Sequence, residues 1–162
     1  MILFNGLGRR LSGFLVGVLV AFFAATLSAV PAQATLGPPE PVDFQLTGSW
    51  NGVVIQVGRL VGSLQFDDSN SLYRLDLTVC RQSSYTAPNV SVSVNGIPQS
   101  VPHGPPLRPD LCPPREPSWG ISGLLTYNGV INNISLKIDG LFFDGSTATP
   151  KSKGRTYDNP FN

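Results

Sequence analysis

Period-two alternation of apolar and polar positions runs through most of the chain after residue 41, and it predicts strands. Val42 to Phe66 reads as a first strand pair, with the β-branched run Gly52-Val53-Val54-Ile55-Gln56-Val57, a tight turn at Gly58-Arg59 and a return from Leu60 to Phe66. Asp67-Asp68-Ser69-Asn70-Ser71 is a polar turn. Leu75, Leu77 and Val79 then share one face, against Arg74, Asp76 and Thr78 on the other, which is the pattern of a half-buried strand. Cys80 falls on the polar parity at the end of that strand. Val90-Ser91-Val92-Ser93-Val94 alternates again, and Asn95-Gly96 after it is a strong hairpin signal. Pro98 in the return cannot donate a ladder hydrogen bond, so that strand is expected at a sheet edge. Ser118 to Gly145 reads as a three-stranded meander with turns at Asn128-Gly129 and Asp139-Gly140.

No segment after residue 34 carries a long 3.6-residue apolar period. The pattern predicts about eight short strands and an all-β fold, an antiparallel β-sandwich or small β-barrel with one disulfide. Residues 42–145 form the expected domain. Residues 35–41 (TLGPPEP) are a Pro-rich linker, and 146–162 a polar, basic, loosely ordered C-terminal tail.

The first 34 residues alter the picture of where the protein works. Arg9-Arg10, an apolar stretch from Leu11 to Val30 and the small residues Ala32-Gln33-Ala34 make the three parts of a cleavable secretory signal. An uncleaved anchor is the rival reading, since about 20 apolar residues can span a bilayer. A twin-arginine signal is disfavoured, because Ser12-Gly13 stand where that motif wants apolar residues. Cleavage leaves 128 residues and shifts the net charge from +1 to −1. No basic field remains to attract nucleic acid, and no stable membrane insertion is expected after cleavage. Charged residues are scarce, at 13%, and 17 glycines with 15 prolines suit a turn-rich β protein. The expected location is secreted: extracellular, periplasmic or in the cell envelope.

Export gives the two cysteines a role. Cys80 and Cys112 are the only ones and are expected to pair, closing a loop that ends in Pro102–Pro117, a run with seven prolines. Without C-x-x-C spacing the pair has no redox signature. His103, the only histidine, lies in this run with no G-x-S-x-G motif in the chain to serve, so it is not read as catalytic. The sharper reading of the run is a preorganised recognition loop with Leu107-Arg108-Pro109 at its tip. Candidate binding residues are His103, Leu107, Arg108, Arg115 and Trp119.

The eight aspartates and two glutamates are thinly spread, and no cofactor or metal is implied. Asp67-Asp68-Ser69-Asn70 lacks the alternating ligand ladder of a calcium loop and reads as a solvated turn. Trp50 and Trp119 are expected as core anchors at strand starts. Leu46-Thr47-Gly48-Ser49-Trp50-Asn51 resembles the opening strand of the avidin family and, more loosely, that of lipocalins. The further tryptophans of an avidin pocket are missing, so the resemblance implies no biotin site. Asn89-Val90-Ser91 and Asn133-Ile134-Ser135 match the glycosylation triplet.

The expected function is therefore that of a non-enzymatic secreted β-domain, binding a small ligand or an extracellular protein through its loops, the Pro-rich loop first. The alternatives are a small secreted hydrolase using aspartates such as Asp76, Asp139 and Asp144, or a structural component of the cell envelope.

Overall fold

A computed structural model describes residues 35–162 apart from 83, 84, 115 and 117. The signal expected at 1–34, and Arg115, lie outside the described residues. One compact unit spans Ala34–Asn162. It is all-β, with nine antiparallel strands in two sheets. In chain order these are β1 (Glu40–Trp50), β2 (Val53–Phe66), β3 (Leu72–Arg81), β4 (Asn89–Val94), β5 (Ile97–Gln99), β6 (His103–Gly104), β7 (Ser118–Thr126), β8 (Asn133–Asp144) and β9 (Thr147–Asp158), with a short 3-10 turn at Pro109–Leu111. Of the two expected architectures it is sandwich-like and not a closed barrel. The sheets run β1-β2-β3-β7-β6 and β5-β4-β8-β9. β1 packs across the sandwich on β8 and β9, and β2 on β8.

The core follows from the alternation. Phe44 and Leu46 of β1, Leu60 and Leu64 of β2, and Leu75 and Leu77 of β3 point inward from one sheet. Val90, Val92 and Val94 of β4 and Ile134, Leu136 and Ile138 of β8 meet them from the other. The expected hairpin at Asn95-Gly96 is present, with both residues at positive φ (51° and 80°), and β5 is the edge strand that Pro98 requires.

Three expected turns fall elsewhere. β2 runs straight through Gly58-Arg59, and the turn into it is Asn51-Gly52, again with both φ positive. Asn128-Gly129 does not join a hairpin. β7 and β8 belong to different sheets, and the crossing is held by the Tyr127 and Ile131 amides, which donate to the carbonyls of Ser71 and Asn70. Asp139-Gly140 lies inside β8, where the missing side chain of Gly140 makes room for Leu46 across the sandwich; a β-carbon there would lie 3.0 Å from its methyl.

The ends of the domain are also more ordered than their polar composition suggests. Residues 147–158 are not a tail but β9, paired with β8 along its whole length. The segment after it is pinned by Asn159, buried, whose amide donates to Asn70 Oδ1 and the Ile131 carbonyl at 2.8 Å each. At the linker, Glu40 and Pro41 already belong to β1, and Leu36 bridges to Asp67. Trp50 is not a core anchor: it ends β1 at the hairpin tip and is 49% exposed, whereas Trp119 packs on the core as expected.

Candidate functional site

The outer face of the five-stranded sheet is where the Pro-rich loop comes down. Thr78 and Cys80 sit on the polar parity of β3, yet they are 1% and 0% exposed. The cover is the loop itself. The Cys80–Cys112 disulfide is formed, and with Val61 and Leu111 it makes a second small apolar cluster outside the main core. β6 adds two residues to the edge of β7, and the chain then crosses Gly120 so closely that a β-carbon would lie 2.5 Å from the Pro105 carbonyl. The 3-10 turn then delivers Cys112 to Cys80.

Arg59 ties this loop to the sheet. Its guanidinium forks onto Asp43 (Nε to Oδ1 2.8 Å, Nη2 to Oδ2 2.6 Å), and its Nη1 donates to the Leu111 carbonyl at 3.3 Å. The hydrogen bonds from Arg59 hold the Asp43 carboxyl below its usual value, and those to Asp43 raise Arg59. One planar cation thereby joins β1, β2 and the loop.

Two clefts flank the disulfide along the strands. The first, of about 560 Å³, has Val61, Gly62, Ser63 and Asp76 among its lining from the sheet and Leu107, Arg108 and Leu111 from the loop. Leu107 is 55% exposed, and Arg108 forks onto Asp110. Ser63 lies opposite Asp76 in the β2–β3 register, and among the described residues Asp76 forms no ion pair. The second cleft, of about 380 Å³, is lined by Val54, Ile55, Gln56, Gln82, Pro113 and Glu116. Burial pushes the Glu116 carboxyl up.

The expected binding residues divide between the two faces of the sheet. Leu107 and Arg108 line the first cleft. His103 lies opposite Ile121 in register, on the inward-facing side of the edge, with its ring edge-on to Trp119 at 4.8 Å. His103 and Trp119 therefore form a pair of their own, away from the cleft. Asp43, Arg59, Gln82 and Glu116 were not singled out in the sequence, since only the strand register and the disulfide bring them to the loop.

The aspartates named for hydrolysis are not gathered either. Asp76 points outward from one sheet. Asp139 points outward from the other, where it pairs with Lys137 at 2.9 Å. Among the described residues no group of three His, Cys, Asp or Glu could hold a metal ion.

Asp67 is not in a solvated turn: it is 0% exposed and organises the turn between β2 and β3. Its carboxylate accepts the Ser69, Ser71 and Leu72 amides at 3.1, 2.9 and 2.6 Å, and the Ser69 hydroxyl. Each Asp67 carboxylate oxygen thus already accepts two hydrogen bonds. Burial pulls its carboxyl up, but the hydrogen bonds from Ser69, Leu72 and Ser71 outweigh it, and the net shift is below the ordinary 3.8. Asp67 therefore stabilises the fold fully above pH 3.8, and that stabilisation is lost as pH falls below it. Glu116 acts in the opposite sense, costing stability as pH rises through the carboxylate range. Replacing Asp67 by Asn is expected to cost about 2 to 3 kcal/mol at neutral pH and to flatten the acid limb of the stability curve. Urea titrations between neutral pH and pH 3 check this, and an unchanged acid limb refutes it.

Among the described residues no helix is long and apolar enough to cross a membrane. No family model, curated protein or solved structure matches the chain.

Proposed function

We propose that this chain is an exported, non-enzymatic β-domain that binds a ligand or protein partner through its Pro-rich loop. Its seat is the cleft between Leu107, Arg108 and Leu111 and the strand positions Val61, Ser63 and Asp76. The observation that carries the reading is the loop itself. It is stapled at Cys112, clamped by Arg59 and stiffened by proline, and it arches over the sheet to leave a cleft of about 560 Å³. Small-molecule sites typically occupy roughly 300 to 1,000 Å³, mostly apolar with a few polar groups that orient the ligand. Here Val61, Leu107 and Leu111 supply the apolar walls, and Ser63 and Asp76 the polar ones. A loop already held in place loses little entropy on binding. Export is supported by the tripartite pattern of residues 1–34 and by a disulfide, which suits an oxidising compartment.

A fragment screen read by amide chemical shifts tests the site. Saturable binders should move Val61, Gly62 and Leu111 together, and Leu107→Ala should weaken them about tenfold. Hits confined to the His103–Trp119 edge would sink the reading. Turnover of a hydrolase substrate that is lost in Asp76→Asn, with the fold kept, would favour the enzyme alternative.

A further inference from the structure

We infer that the tip of the β1–β2 hairpin is a membrane-docking finger, which seats Trp50, Val53 and Val54 in the interfacial layer of a phospholipid bilayer.

The residues that flank an exposed hairpin turn face water and are ordinarily polar. Here they are not. Between Asp43 and Arg59 the chain carries no ionisable residue. Around the Asn51-Gly52 turn, Trp50 is 49%, Val53 62% and Val54 70% exposed. Single exposed apolar residues are normal, whereas three gathered on one turn mark a contact surface. The hairpin carries them past the core. Gly48 lies against the Phe142 ring, so close that a β-carbon there would be 2.2 Å from it. Trp50 and Val53, the next pair on the same face, run beyond that cover into solvent.

Geometry and size select the occupant. Trp50 and Val53 are opposite each other in register and share one face of the hairpin, while Val54, opposite Ser49, lies on the other. A protein partner that docks on the tip covers one face. A lipid layer surrounds the tip and takes both. Area argues the same way, because three side chains at these exposures offer only a few hundred Å², short of the roughly 800 Å² per partner of a stable protein interface. Tryptophan itself favours the boundary between bilayer and water, where its ring is apolar and its indole N–H still finds an acceptor.

The backbone sets the depth. Asn51 and Gly52 lie outside the β1–β2 ladder, and hydrocarbon offers no partner to their peptide groups. The finger therefore stops in the interfacial layer. Around its base the charges are of both signs: Asp144 ends β8, Glu116 lines the cleft beside Val54, and Lys151 and Lys153 follow along β9. Phosphatidylcholine headgroups also carry both signs and match such a rim, so docking needs no anionic lipid. Leu107 and Arg108 take no part, and the finger stands or falls independently of the function proposed above.

The test floats protein produced from the full chain with phosphatidylcholine vesicles, and follows its tryptophan emission with lipid brominated along the acyl chains. The parent should float, and its emission should be quenched. Trp50→Ser should abolish the quenching, since Trp119 packs on the core. Val53→Ser combined with Val54→Ser should weaken flotation about tenfold or more, with the urea midpoint unchanged. Ile97→Ser, at an exposed position of the hairpin at the other end of the sandwich, should change nothing, and neither should Leu107→Ala. Failure to float overturns the inference. So does flotation that survives both tip variants, which would place it elsewhere on the chain, residues 1–34 included. Flotation that requires phosphatidylglycerol and disappears in high salt would be electrostatic and overturns it as well. A concentration-dependent dimer in sedimentation velocity, abolished by the same tip variants, would assign the tip to a second copy of the chain instead.

Discussion

Gly62→Ala is expected to destabilise the domain by about 4 kcal/mol or to prevent folding altogether. Gly62 sits in the middle of β2 with φ at 147°, a conformation that side chains rarely adopt. A β-carbon on it would lie 2.0 Å from the Asp76 carbonyl oxygen and 3.0 Å from the Leu77 α-carbon. Both neighbours are backbone of β3, the strand in the middle of its sheet, and no rotamer change relieves the overlap. β2 must therefore separate from β3 or bend, and the floor of the first cleft goes with it. Urea denaturation measures the loss as a fall in midpoint. Gly104→Ala is the control, because nothing lies within 4 Å of its added carbon, and it should stay within about 0.5 kcal/mol of the parent. A Gly62→Ala variant as stable as that control would show that the strand pair tolerates a side chain there.

Removing the disulfide is expected to cost about 3 to 4 kcal/mol, from the entropy of reopening a loop whose ends are 32 residues apart. Alanine is the right replacement at both positions, because serine would bury a hydroxyl at Cys80, where exposure is 0%. The loss is expected to be local as well as global. With Cys112 released, the end of the loop is still held by the Arg59 bond to the Leu111 carbonyl, and its start by the pairing of β6 with β7 and the close passage of Pro105 over Gly120. Leu111 and Cys112 amides should then exchange faster than those of β3, and ligands of the first cleft should lose affinity even where the sandwich survives. Hydrogen exchange on the Cys80→Ala, Cys112→Ala protein separates the two effects. Unchanged protection at Leu111 would mean that proline stiffness and Arg59 suffice to seat the loop.

Much of the architecture is legible in local pattern, for a physical reason. A strand with one buried face must alternate, so Leu75, Leu77 and Val79, or Val90, Val92 and Val94, declare both their conformation and their inward side. Asn95-Gly96 declares a turn because both residues must take positive φ. The misreadings share a cause. Gly58-Arg59 and Asp139-Gly140 look like turns, yet Arg59 faces outward to clamp Asp43 and Gly140 makes space for Leu46, roles set by elements distant in sequence. β9 escaped notice because it is an edge strand with little buried surface; only Tyr157 among its residues is buried, and pairing with β8 orders the rest.

The candidate sites show the same division. That Cys80 and Cys112 would pair, and that a proline-dense loop would hang from them, follows from cysteine count, export pattern and composition, all properties of the chain as written. Which side of the sheet the loop would cover does not. Cys80 lies on the polar parity of β3, and only the closed disulfide turns that position into buried surface and brings Leu107 over Val61 and Asp76. The separation of His103 and Trp119 from Leu107 and Arg108 is decided by the same crossing at Gly120. The convergence of Gln82 and Glu116 depends on the bridge that joins the end of β3 to the end of the loop. Alternation is a local property and is written in neighbouring residues. A site built where a loop crosses a sheet is a long-range property, and only the register and the disulfide specify it.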